Sequence, residues 1–214
     1  MDQRLSKAYA LYEASVFYGD DGAVNQAKPL LDAVEADLSL ARGRLLHAEY
    51  LKERRQEDPR ELPSFERAAE LYSELGDERG EAEALFWIAT YHQAIRHDGE
   101  ASIPFLERAE HLARRVGDKL LLSYIVRHIG FVEQLVHGDL DAARRRQEES
   151  IALRREVGHL PGVAAGLLAL AEVARARGDA AERDRLLDEA ESVAAESGAK
   201  GIQRWITAER KETG

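Results

Sequence analysis

An all-α solenoid of about five helix pairs, closed by a C-terminal capping helix, is predicted from three observations. First, one stretch recurs. Pro63–Asp77 (PSFERAAELYSELGD) matches Pro104–Asp118 (PFLERAEHLARRVGD) at a shift of 41 residues, Arg145–His159 lies another 41 on, and Arg185–Ala199 another 40. Second, each copy ends on a glycine: Gly76, Gly117, Gly158 and Gly198. Glycine takes the left-handed conformation that closes a helix without steric penalty. Third, the apolar residues inside the copies fall three and four apart, which places them on one helical face. A period of this size marks stacked units that bury their faces against neighbours.

The clearest unit is Ala164–Asp179 (AAGLLALAEVARARGD). Leu167, Leu170 and Ala174 share a face, Ala171 keeps that face shallow enough for a neighbouring helix, and Gly178-Asp179 closes it. The same arrangement stands earlier as Val126, Ile129, Gly130 and Gly138-Asp139, and before that as Leu85, Ile88, Ala89 and His97-Asp98.

In chain order, residues 1–18 form an amphipathic helix with Leu5, Tyr9, Tyr12, Val16 and Phe17 as its apolar side. Gly19–Gly22 (GDDG) is a turn signal. A helix over about 23–37 follows, with Pro29 tolerated only near its first turn or as a kink. A longer one over about 39–56 ends at Glu57-Asp58-Pro59, because the residue before a proline is disfavoured in the α region. From residue 61 the repeats are regular. Leu71, Leu112, Leu153 and Val193 occupy one slot, and Ala68, Ala109, Ser150 and Ala190 another that is always small. The units are 1–37, 38–77, 78–118, 119–158 and 159–198. A terminal repeat must present one polar and one apolar face, so residues 199–212 are expected to cap the array with Ile202, Trp205 and Ile206 turned inward. A single array over 1–214 is the predicted domain organisation.

Composition narrows the function classes. No apolar run approaches the ~18 residues needed to span a bilayer, so no membrane partner is expected. The N-terminus lacks the apolar block of a secretory signal. With no cysteine, disulfides, thiolate metal sites and thiol catalysis are excluded, and a cytoplasmic location is expected. A net charge of −10 argues against direct nucleic-acid binding, which needs a basic footprint. The basic run Arg144–Arg146 sits among Asp139, Asp141, Glu148 and Glu149 and reads as a solvated helix face.

The slots Leu167, Leu170-Ala171, Ala174, Gly178-Asp179 and Ala190 resemble the tetratricopeptide repeat (TPR), and most of all its longer bacterial variant of about 40 residues. The likeness covers residues 61–198 well and 1–60 weakly. Two departures stand out: glycine replaces the usual proline at each repeat boundary, and Leu51, His92, Glu133 and Ala174 replace an aromatic late in the first helix. The resemblance implies a right-handed solenoid and a non-enzymatic scaffold that binds a protein or peptide segment in a concave groove lined by first helices. Counting from the small slot Ala48, Ala89, Gly130 and Ala171, the groove candidates are Leu45, Phe86, Arg127 and Leu168, then Glu49, Thr90, Phe131 and Glu172, with Tyr124 one turn away. Phe86, Tyr124 and Phe131 are the expected anchors and Arg127 the main cation. The carboxylate clamp of one TPR subclass is missing: Arg42, Lys52 and Arg127 lie near its positions, but Asn25 is the chain's one asparagine. A longer apolar or basic segment is therefore the expected ligand.

Enzymatic readings find little footing. His92 and Glu133 share a slot in adjacent repeats, yet a hydrogen-bonded structural pair, or two exposed polar groups, is the simpler reading. His128 and His137 are nine residues apart and point to opposite sides of a helix, whereas a zinc pair wants spacing of four. No GxSxG, Walker or GxGxxG pattern occurs. No catalytic residue, metal site or cofactor is expected. Two further readings stand beside the scaffold: the sensor or partner-docking domain of a bacterial transcriptional or signalling regulator, and a homo-oligomer in which an incomplete terminal repeat stacks on a partner's end.

Overall fold

The computed structural model describes residues 2–53 and 57–212. The chain divides into two compact units, residues 1–97 and 98–214. The first holds α1 (Gln3–Tyr18), α2 (Ala23–Glu53), α3 (Glu61–Leu75) and α4 (Glu78–Ala94). The second holds α5 (Gly99–Val116), α6 (Lys119–Val132), α7 (Leu140–Glu156), α8 (Leu160–Ala176), α9 (Ala180–Glu196) and α10 (Lys200–Glu212). A π-helical turn, Glu133–His137, extends α6. No strand occurs among the described residues. Inside each unit every helix packs on the next in sequence, the helix-pair stacking of TPR-like solenoids.

The Gly-Asp dipeptides set the turns. Gly76, Gly117, Gly138 and Gly178 stand at φ of 70°, 72°, 71° and 77°, closing one helix in the conformation that a Cβ would strain. The aspartate that follows caps the next helix: Asp77 accepts from the Gly80 N–H, Asp118 from Leu121 and Asp179 from Glu182. Each such cap contributes about 1 kcal/mol. In the remaining copy His97 takes the glycine's place at φ 53°, and Asp98 still caps through Ala101.

The small slots are where helices cross. Ala68, Ala109, Ser150 and Ala190 are each fully buried. At Gly130 an added Cβ would sit 2.5 Å from Gln147 Nε2, and at Gly43 it would sit 2.5 Å from the Phe65 ring. A methyl at Gly43 would have to displace the buried Phe65 ring, and one at Gly130 would displace the Gln147 amide. Gln147, itself buried, donates to the Arg127 carbonyl at 3.2 Å and ties α7 to α6.

Three expectations are corrected. The helices predicted over 23–37 and 39–56 are one helix of 31 residues. Asp37 stands at the predicted break, but its carboxylate is held by Arg4 at 2.7 Å and by the Tyr72 hydroxyl at 2.7 Å, so it caps nothing and the helix runs on. The predicted end near Gln56 falls outside the described residues. Next, the apolar side of α1 does not face the core. Leu5, Tyr9, Tyr12, Val16 and Phe17 are all exposed, and the buried residue of α1 is Ala8. Arg4 on α1 reaches the Ala33 carbonyl of α2. Finally, on α10 Ile206 is buried and Ile202 packs on the core, but Trp205 is half exposed.

The Arg144–Arg146 run is a lattice of ion pairs, as its acidic surroundings predict. Arg144 meets Glu148 at 2.8 Å, and Arg146 meets Glu110 at 2.9 Å. Exposed pairs of this kind contribute up to ~0.5 kcal/mol each and mainly keep the surface soluble.

Candidate functional site

In the second unit α6 carries Tyr124, Arg127 and Phe131 at intervals of three and four, hence on one face. The neighbouring α8 carries Glu172. The Arg127 guanidinium lies over the Phe131 ring with its carbon 4.6 Å from the centroid, a cation–π contact. Its Nε is buried and has no hydrogen-bond partner among the described residues. Burial pushes the Arg127 pKa down, and the Glu172 carboxylate opposes the shift. His128 packs edge-on to Phe131 at 5.5 Å.

A second cation stands behind the first. Arg154 on α7 is almost fully buried. Its Nη1 donates to the Gly162 carbonyl at 2.7 Å and its Nε to Ser123 Oγ at 3.2 Å, with the Tyr124 ring 4.9 Å from its guanidinium carbon. Desolvation, and next the charge of Arg127, bring its pKa down to about 9, and it remains a cation at neutral pH. The Tyr124 hydroxyl and His159 Nε2 are 2.9 Å apart. Burial and then Arg154 push the His159 pKa down, so at neutral pH the ring is uncharged, and the tautomer it adopts sets whether the hydroxyl or Nε2 donates in this hydrogen bond. The wall thus holds two guanidiniums against one carboxylate, and the local balance is positive.

The structure brings Tyr124, Arg127, Phe131 and Glu172 together, with Leu168 nearby in α8 as a buried core residue. The other candidates belong to the first unit. Phe86 and Thr90 are buried there, and the Thr90 hydroxyl donates to the Phe86 carbonyl at 2.9 Å, so these two side chains fill core rather than offer a surface. Leu45 and Glu49 are exposed on α2.

Arg154, His159 and Ser123 were missed by sequence reasoning. One signal was available for Arg154. Its slot is occupied in the other copies by Tyr72, Ala113 and Ala194, all buried. A charge in a register that is otherwise core is a departure that points to a site or a buried polar network.

Other titratable groups are structural. Glu133 pairs with His137 at 2.9 Å. In the first unit His47 meets Glu61 at 2.9 Å, both buried, which ties α2 to the first turn of α3. No group of three metal-ligating side chains occurs among the described residues, and no described helix is long and apolar enough to cross a membrane.

No protein-family model and no curated protein matches the chain. Solved structures to which it is similar include three. BtubC (BKLC) from P. vanneervenii is 17% identical, with 91% of this chain and 89% of that chain covered and a TM-score of 0.48. A single-substitution form of the putative kinesin light chain nearly identical TPR-like repeats from Podosopora anserina is 17% identical over 93% of this chain and 99% of that one, with a TM-score of 0.29. The form without that substitution is also 17% identical, covers 92% and 99%, and has a TM-score of 0.28. The TPR-like fold assigned to the chain rests on its own helix pairing, caps and small-residue crossings.

Proposed function

We propose that the protein is a non-enzymatic scaffold that binds a protein or peptide segment on the α6–α8 face of its second unit. The observation that carries this is Arg127: a cation seated on Phe131, with a buried Nε lacking a partner among the described residues. A buried donor left unpaired costs about 1–3 kcal/mol, and an acceptor from a ligand recovers it. Phe131 and Tyr124 supply flat apolar area beside it, the composition of a hot spot.

The charge balance also revises the ligand. An apolar or basic segment is the expectation when Glu172 and Glu49 flank the groove and Arg127 is its main cation. With Arg154 behind Arg127, a segment presenting a carboxylate next to an apolar side chain fits better. Glu172 offsets one cation, and the ligand's carboxylate offsets the other.

The test compares proteins captured by the wild type with those captured by Arg127→Glu and Phe131→Ala, each checked for unchanged helicity. Partners lost by both variants define the ligand, and synthetic peptides from those partners with the acidic residue changed to its amide should bind at least about tenfold more weakly, the loss of one charge-assisted hydrogen bond. Full retention of every partner by both variants overturns the assignment.

A further inference from the structure

The first unit carries a surface that the α6–α8 face does not explain. Along α2 the residues Val24, Leu31, Leu38 and Leu45 recur every seven positions, and all four are 47–68% exposed. Between them, at the three-residue step, stand Ala27, Val34, Ala41 and Ala48, half-buried or exposed. Apolar residues alternating by three and four over more than three heptads form the seam of a coiled coil, in which each side chain enters a hole on a facing helix. The core side of the same helix is elsewhere, at Ala36, Leu40, Gly43 and His47, which are buried. A helix with two apolar stripes has two partners, and only one stripe is covered by this chain.

The charges beside the stripe say what covers the other. The residues after the small positions are Lys28, Glu35, Arg42 and Glu49, alternating in sign at intervals of seven. Reversing the direction of the row inverts every sign. Two copies of α2 laid antiparallel therefore oppose Lys28 with Glu49 and Glu35 with Arg42, each twice, with no like-charge pair. Arg67 holds one oxygen of Glu35 at 2.8 Å, and a carboxylate accepts at both oxygens. A parallel pair would instead rely on the opposite flank, where Asp37 is engaged by Arg4 at 2.7 Å and Arg44 by Glu83 at 3.1 Å. An open groove of about 550 Å³ runs along this side of α2, lined by Leu38 and Arg42 and, across it, by Pro63 and Arg67.

We infer that the exposed stripe of α2 is the interface for a second copy of this chain, packed antiparallel along Lys28–Leu51. This contact runs along the side of a helix, unlike end-to-end stacking of terminal repeats. The heptad spacing supplies the apolar seam, and the reversing charge row selects both the partner and its direction.

Sedimentation of the full chain at ~100 µM, where a micromolar dimer is saturated, should give a dimer. Leu31→Glu/Leu38→Glu should weaken it more than ~100-fold, since both sites lie centrally in the seam, while its helical circular dichroism is unchanged because both side chains are exposed. Direction is read from charge swaps. Lys28→Glu and Glu49→Lys should each weaken self-association about fivefold through two like-charge contacts, and an equimolar mixture of the two variants should recover the wild-type affinity as a heterodimer.

Single cysteines, free of background in this chain, give an independent reading. In the antiparallel pair Leu31 lies across from Ala48 of the other copy and ~25 Å from that copy's Leu31, at 1.5 Å rise per residue. Leu31→Cys mixed with Ala48→Cys should cross-link, and Leu31→Cys alone should not. A monomeric wild type, a dimer that survives Leu31→Glu/Leu38→Glu, or cross-linking of Leu31→Cys alone overturns the inference.

Discussion

The two units use charge and apolar area in opposite ways. The first turns apolar residues outward along α1 and α2 and keeps most of its cations at the surface. The second packs its apolar residues into a core that encloses Arg154 and half-buries Arg127 beside it. Both are built from the same helix pair, so the difference lies in substitution rather than architecture. An exposed apolar stripe costs the monomer little and offers area to a partner. A buried cation costs several kcal/mol of desolvation and offers a specific contact. A repeat protein can keep both because its stability is a sum over neighbouring interfaces.

The contrast is tested most strongly at Arg154. Arg154→Ala removes the donors to Gly162 and Ser123 and leaves a cavity, so it should lower unfolding free energy by about 3 kcal/mol. Leu31→Ala on the exposed stripe should stay within ~0.5 kcal/mol when measured at concentrations too low for association. Denaturant unfolding of the two variants makes the comparison directly, and equal losses would break it. Arg154→Met, which keeps the volume without the charge, should recover most of the loss.

Next in size, Gly43→Ala should cost about 2 kcal/mol, because its Cβ meets the buried Phe65 ring, and Gly130→Ala about 1 kcal/mol, because the Gln147 amide must move off the Arg127 carbonyl. Losses at both would sharpen the contrast by showing that close helix crossings are common to both units. If one glycine is freely replaced, the crossing in that unit is looser than its geometry indicates.

A smaller effect of opposite sign is expected at His97, which stands where the other Asp-capped turns have glycine. His97→Gly relieves a left-handed backbone and should stabilise the chain by about 1 kcal/mol, read as a higher melting temperature. Smallest is the acid response of the second unit. The folded pKa of His159 is lowered, so between that value and the ordinary 6.5 the unfolded chain binds the extra proton. The stabilising effect of the neutral ring is complete above about pH 6.5 and is lost as pH falls through the folded value. His159→Gln should flatten that acid limb of the melting-temperature profile. An unchanged limb would assign it to other groups.

Much of the fold was legible in the sequence because a helix pair repeated at near-constant spacing leaves local signals. The Gly-Asp turns are read from single residues, since backbone conformation and capping depend on neighbours only. The small slots Ala68, Ala109, Ser150 and Ala190 are read from their recurrence. The site was legible in part. That Tyr124, Arg127 and Phe131 share a face follows from their spacing on one helix, whereas Arg154 and His159 come to that candidate site from elsewhere in the chain.

By itself, then, the amino-acid sequence determined the helices from residue 61 onward, their turns, their small-residue crossings and the helical face that holds Arg127. Tertiary structure decided three things that local rules do not reach. It merged two predicted helices into α2, because Arg4 and Tyr72 engage Asp37 and leave it nothing to cap. It turned the apolar side of α1 to solvent, burying Ala8 and holding α1 on α2 through Arg4 instead. It placed a second guanidinium behind the first, because which core slot faces which neighbour depends on packing between segments far apart in the chain. Periodicity reports which residues share a face, and only packing determines what that face meets.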